Sequence, residues 1–84
     1  MKNMKEISAK LGWAGTILIL AAYFLLSFSL ITSNSIIYQG MNLFGALGLV
    51  VDTYYKKDLP PEVLNIVWAV IAGVAIFRIL MSYS

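Results

Sequence analysis

The sequence contains no cysteine and no histidine. Their absence excludes disulfides, thiol nucleophiles and the commonest metal ligands. It also excludes any Cys-His or Ser-His-Asp arrangement. Charge is scarce as well. Only 12% of the 84 residues are charged, where a soluble domain carries about a quarter. The net charge is +2 and the lysines gather in two short clusters, so there is no basic stripe of the kind that reads nucleic acid. No phosphate loop and no metal-ligand spacing is present. One carboxylate near an amide is not a catalytic constellation, so neither an enzyme nor a cofactor is expected. What is abundant is apolar surface: 61% of residues, with a mean hydropathy of +0.86. This composition is that of an integral membrane protein, and the length is that of a single domain, residues 1–84.

A helix needs about 20 mostly apolar residues to cross a bilayer core. Three stretches qualify, at about 11–31, 36–54 and 61–80. The first follows Lys2, Lys5 and Lys10, as a signal peptide would. Its apolar run is about 20 residues, longer than the 7–15 of a signal sequence, and is expected to be a retained helix. Thr32-Ser33-Asn34-Ser35 is a short polar turn in which any Ser or Asn can cap the second helix. Lys56-Lys57-Asp58-Leu59-Pro60-Pro61 is the second break. Pro61 suits a first helical turn and Glu62 the positive end of the helix dipole. Connections this short make consecutive helices antiparallel.

The lysines set the expected direction. With three spans, the N-terminus and the second loop share a side carrying Lys2, Lys5, Lys10, Lys56 and Lys57. The other side has only Arg78. By the positive-inside bias, the N-terminus is expected inside and the C-terminus outside, in a bacterial inner membrane. Trp13, Tyr38, Tyr54, Tyr55 and Tyr83 lie near span ends, as an aromatic belt requires. Tyr23, midway along the first span, is expected to find a hydroxyl partner on a neighbouring helix.

Helices associate in lipid through small residues and polar side chains rather than hydrophobicity. The first span offers Ser8, Gly12 and Gly15. The second aligns Tyr38, Asn42, Gly45, Leu49 and Asp52 within one arc, with Gly48 nearby. The third offers Glu62, Asn65, Ala69 and Ala72, with Gly73 beside them. Gly12, Gly15, Gly45, Gly48, Ala69, Ala72 and Gly73 are the expected packing residues. Three such helices enclose little volume, which argues for a 3+3 homodimer of an all-α membrane protein.

The polar residues have two readings each. Asp52 stands four residues before Lys56, the favourable order for a helical ion pair, or it belongs to a site with Asn65 at similar depth. Asn65 and Asn42 either bond neighbouring helices or line a cavity. Trp68, one turn beyond Asn65, packs or stacks on a ligand. Arg78 can snorkel to the surface.

Leu11-Gly12-Trp13, Gly45, Asp58-Leu59-Pro60 and Leu64-Asn65-Ile66-Val67 together resemble the SemiSWEET and PQ-loop group of small bacterial transporters. The resemblance implies a three-helix bundle with the third helix between the first two, and a pair of chains around a sugar pocket in which Asn65 matches the pocket asparagine. That group's Pro-Gln hinge would fall near Leu25-Leu26 and its pocket tryptophan at Leu49, and neither is present. Its basic loop lies between the first two helices, where this chain is uncharged. Tyr38-Gln39, Asn42, Gly45 and Leu64 to Trp68 are also similar to a group of small uncharacterised bacterial three-helix proteins. That second likeness implies a fold and no activity.

The expectation is therefore a dimeric half-transporter for a small polar solute, with Asn65, Asn42 and Asp52 along the pathway and Trp68 as a stacking wall. The alternative is a non-transporting accessory or scaffold subunit, in which the same faces grip a partner and the asparagines are interhelical glue.

Overall fold

The computed structural model describes residues 2–82, with side chains from Met4 onward. Tyr83 of the expected aromatic belt and the side chain of Lys2 lie outside the described residues. Three helices follow one another: α1 (Lys2–Ser27), α2 (Ile36–Lys56) and α3 (Leu59–Ser82). Each is long and apolar enough to cross a membrane. The longest dimension of the molecule, 44 Å, matches a bilayer with its headgroup layers, about 40–45 Å.

The helix ends are set by local chemistry. Ser35 caps α2: its side chain accepts from the N–H groups of Ile37 at 3.1 Å and Tyr38 at 3.3 Å, two donors a helix start leaves without partners. Pro60 and Pro61 fall in the first turn of α3, where a missing N–H costs nothing. The other two ends share one motif. At the end of α1, Leu30 N–H donates to Leu25 O at 2.9 Å and Ser29 N–H to Leu26 O at 3.1 Å. At the end of α2, Asp58 N–H donates to Thr53 O and Lys57 N–H to Tyr54 O, both at 3.2 Å. This paired pattern closes a helix through one left-handed residue, here Ser29 (φ 60) and Lys57 (φ 54).

Two boundaries differ from expectation. α1 begins at Lys2 rather than near Leu11, because hydropathy marks what can sit in lipid rather than what can be helical. Met4 to Lys10 are mostly good helix formers, and Ser8 on that arm is buried. α1 also ends at Ser27 rather than near Ile31, because the chain turns left-handed at Ser29. The shorter helix leaves Tyr23 about one turn from its end. Tyr23 is exposed, and its hydroxyl has no partner among the described residues. The expected interhelical bond is not made, and an interfacial depth explains why none is needed.

α2 is the middle helix. It packs against both α1 and α3, whose Cα atoms do not come within 8 Å of each other among the described residues. The arrangement implied by the transporter resemblance, with the third helix in the middle, is therefore not found. The physical reason is that α2 has two packing faces. Gly45, Gly48 and Asp52 meet α1, whereas Asn42 and Thr53 bond to α3. At about 100° per residue these sets are centred roughly a right angle apart. The single arc expected for α2 is thus split, and α1 and α3 flank an open trench with α2 at its base.

The α1–α2 contact is a backbone contact. A Cβ on Gly15 would collide with the Gly45 carbonyl, and one on Gly48 would stand 2.5 Å from the Leu11 oxygen. One on Gly45 would be 2.7 Å from Ile19 Cγ1 and 2.9 Å from Gly15 O. The buried apolar residues, Ala22, Ala46, Ala72 and Ile79, are mostly small too. Close approach of this kind maximises dispersion where no hydrophobic force acts between helices. Gly73 does not take part within one chain: a Cβ there would meet nothing within 4 Å.

Candidate functional site

The α2–α3 seam carries most of the interhelical polar chemistry. Near its middle, Trp68 Nε1–H donates to Asn42 Oδ1 at 3.3 Å, and Asn42 Nδ2 donates to Tyr38 O at 3.1 Å. The Asn42 amide is thereby oriented by a bond on each side. Asn42 is buried, Tyr38 is half-buried and Trp68 is exposed. Nearer the lysine-rich end, Thr53 Oγ1 donates to Leu49 O at 2.8 Å and contacts Glu62 Oε1. Between these two bonds sits Asn65. It is 9% exposed, and its side chain has no hydrogen bond among the described residues. The one fully enclosed side-chain nitrogen or oxygen without a partner among the described residues is Asp52 Oδ1, on the other face of α2. The seam is thus polar along its length, with a free amide at Asn65.

Away from the lysines the seam opens. A cavity of about 280 Å³ is lined by Tyr38, Gln39, Asn42, Trp68 and Ile71, among others. A second, of about 410 Å³, is lined by Ser33, Asn34, Gln39, Arg78 and Ser82 with Ala75 and Ile79. Both include Ser33 and Gln39, so they form one groove. Along α3 it runs from Ser82 to Trp68, about 20 Å at 1.5 Å per residue. Asn65 lies one turn further on.

Asp52 stands elsewhere. Its Oδ2 accepts from Lys56 Nζ at 3.0 Å, the intrahelical pair the spacing allows. Its Oδ1 is buried with no partner. A Cβ on Gly12 would be 2.6 Å from Asp52 Cγ, so Gly12 makes the room for this carboxylate between α1 and α2. Lys5, Ser8, Asp52, Tyr55 and Lys56 line a cleft of about 450 Å³ there. Asp52 faces α1 and Asn65 belongs to α3, so the structure does not bring these two together, although the sequence places them at similar depth. Of the four expected pathway residues, Asn42 and Trp68 are joined, Asn65 continues their line, and Asp52 is separate. Thr53 was not singled out from the sequence. Its signal is that it recurs one helical face from Asn42 and Ala46. Among the described residues, no three His, Cys, Asp or Glu side chains could share a metal ion.

A family model matches residues 8–83. The chain belongs to that family, which is uncharacterised. The match takes in the whole α2–α3 groove and the α1–α2 glycine contact, and it leaves out the first turns of α1, with Lys2 and Lys5. No curated protein and no solved structure matches the chain.

Proposed function

We propose that this chain is one half of a small-solute transporter, working as a 3+3 homodimer in the bacterial cytoplasmic membrane with its N-terminus inside. The observation that carries the reading is the groove between α2 and α3, which leads from Arg78 to the Asn42–Trp68 bond and stops one helical turn short of Asn65. An amide held without a partner about a quarter of the way along a span suits a solute hydroxyl, carbonyl or water better than lipid. One chain leaves its trench open and Gly73 unpacked, and a second copy is the simplest cover for both. Alternating exposure of the Asn65 region would come from movement of one bundle against the other. No Pro-Gln hinge is present. The two non-glycine left-handed turns, at Ser29 and Lys57, are the places where the chain can re-aim its helices.

Uptake of radiolabelled sugars, amino acids and vitamins into proteoliposomes tests this. The native chain should carry at least one class above the protein-free background. Asn65→Ala should lower that rate about tenfold, the worth of one good hydrogen bond to a solute. If no class moves, the transport reading fails for those solutes.

A second reading has its own support. The α1–α2 contact is sealed backbone to backbone and α2 is held on two sides, as a rigid accessory subunit would be. In that case a distinct partner chain copurifies in fixed ratio from native membranes, and Asn65→Ala weakens that association instead.

A further inference from the structure

The mouth of the α2–α3 groove has the chemistry of an anion site. Arg78 is exposed and has no ion pair or hydrogen bond among the described residues. The four acidic residues all stand at the opposite end of the molecule: Glu6 early in α1, Asp52 and Asp58 around the end of α2, and Glu62 in the first turn of α3. Along α3 the nearest of these, Glu62, is about 24 Å from Arg78 at 1.5 Å per residue. Among the described residues the guanidinium therefore has no counter-ion.

Its surroundings are donors. Ser33, Asn34, Gln39 and Ser82 line the same cavity of about 410 Å³. Gln39 Nε2 donates to Ser33 O at 2.8 Å, and Ser82 Oγ donates to Ile79 O at 2.7 Å. These two bonds fix the walls. The Ser33 hydroxyl and the Asn34 amide have no hydrogen bond among the described residues, so both are available to a ligand. Arg78 precedes the last turn of α3, which carries no basic residue, so the helix dipole, which acts within that turn, does not account for it. A planar fork of donors beside free hydroxyl and amide groups suits the two oxygens of a carboxylate or phosphate.

We propose that this cavity binds one small oxyanion, a carboxylate or a phosphate group, clamped by Arg78 with Ser33 and Asn34. This rests on the transport reading in one respect: the oxyanion is then the head group of the solute, captured at the groove mouth before its body passes Trp68. The same chemistry is offered by an anionic phospholipid headgroup, and the test separates the two sources.

The protein is placed in nanodiscs of pure phosphatidylcholine, and inorganic phosphate and acetate are titrated in by calorimetry. In parallel, retention of phosphatidylglycerol is measured by native mass spectrometry. Arg78→Gln should weaken phosphate binding at least about tenfold, the scale of a lost charge-assisted pair. Arg78→Lys, which keeps the charge and loses the planar fork, should fall between the two. The double variant Ser33→Ala/Asn34→Ala, which leaves Arg78 intact, should weaken binding less than Arg78→Gln. Arg78-dependent phosphate binding assigns a free anion. Arg78-dependent retention of phosphatidylglycerol alone assigns a lipid headgroup to the same site. Equal affinities for Arg78→Gln and the native chain in both arms overturn the proposal. Binding is read at equilibrium without a gradient, so it can succeed where uptake fails, and the two readings fail separately.

Discussion

Two helix ends in this chain turn through a left-handed residue, and neither residue is glycine. Ser29 and Lys57 have φ of 60 and 54. The conformation costs an L-residue about 1–2 kcal/mol. Glycine adopts it freely but loses about 0.5–1 kcal/mol more chain entropy on folding. The first term is the larger, so Ser29→Gly and Lys57→Gly should each stabilise the protein by about 0.5–1 kcal/mol. Loss of helical circular dichroism with rising SDS in mixed micelles measures this. A lower midpoint for both variants would mean that their side chains hold the turns in some other way. A residue-level signal for these turns was partly legible. The polar run Thr32 to Ser35 and the Lys56–Pro61 break marked the loops. The residue that reverses the backbone was not legible, because no glycine stands there to announce it.

At the scale of the element, the helices differ in how they meet. α1 and α2 approach until carbonyls touch where side chains would be. α2 and α3 keep side chains between them, and the groove with Asn42 and Trp68 opens there. A methyl added at Gly45 stands 2.7 Å from Ile19 Cγ1 and 2.9 Å from Gly15 O, and the carbonyl cannot rotate away. Gly45→Ala should therefore destabilise the chain by about 1–3 kcal/mol through overpacking. Gly73→Ala adds its methyl to open space and should be neutral or stabilising by up to about 1 kcal/mol in a monomeric micelle, from helix propensity alone. The same denaturation measurement compares the two, and a similar loss for both would show that Gly73 is packed. Sequence alone named both glycines as packing residues, since spacing cannot distinguish a glycine against a neighbour from one facing outward. It did locate three helices long and apolar enough to cross a membrane, because apolar length is a local property. The two faces of α2 were harder. Five residues fit one helical arc, and only the neighbours on each side decide how that arc is divided.

For the whole molecule, helix order was the least legible property. It depends on which of three apolar rods has two small faces, and no motif states that. Charge asymmetry is legible, because lysine counts on alternate loops need no packing. Lys5, Lys10, Lys56 and Lys57 stand at one end, while Arg78 and the Ser33–Asn34 turn stand at the other. A bilayer with its negative surface inside should fix this direction. The absence of cysteine makes the direction measurable, since any thiol introduced is the only one present. Asn34→Cys, at the groove mouth, should react with a membrane-impermeant maleimide added to spheroplasts. Lys57→Cys should react only after lysis. The proposed oxyanion cavity then faces the outside, where a solute is first met. The opposite labelling pattern would place that cavity in the cytoplasm, and the direction of transport would have to be read as export.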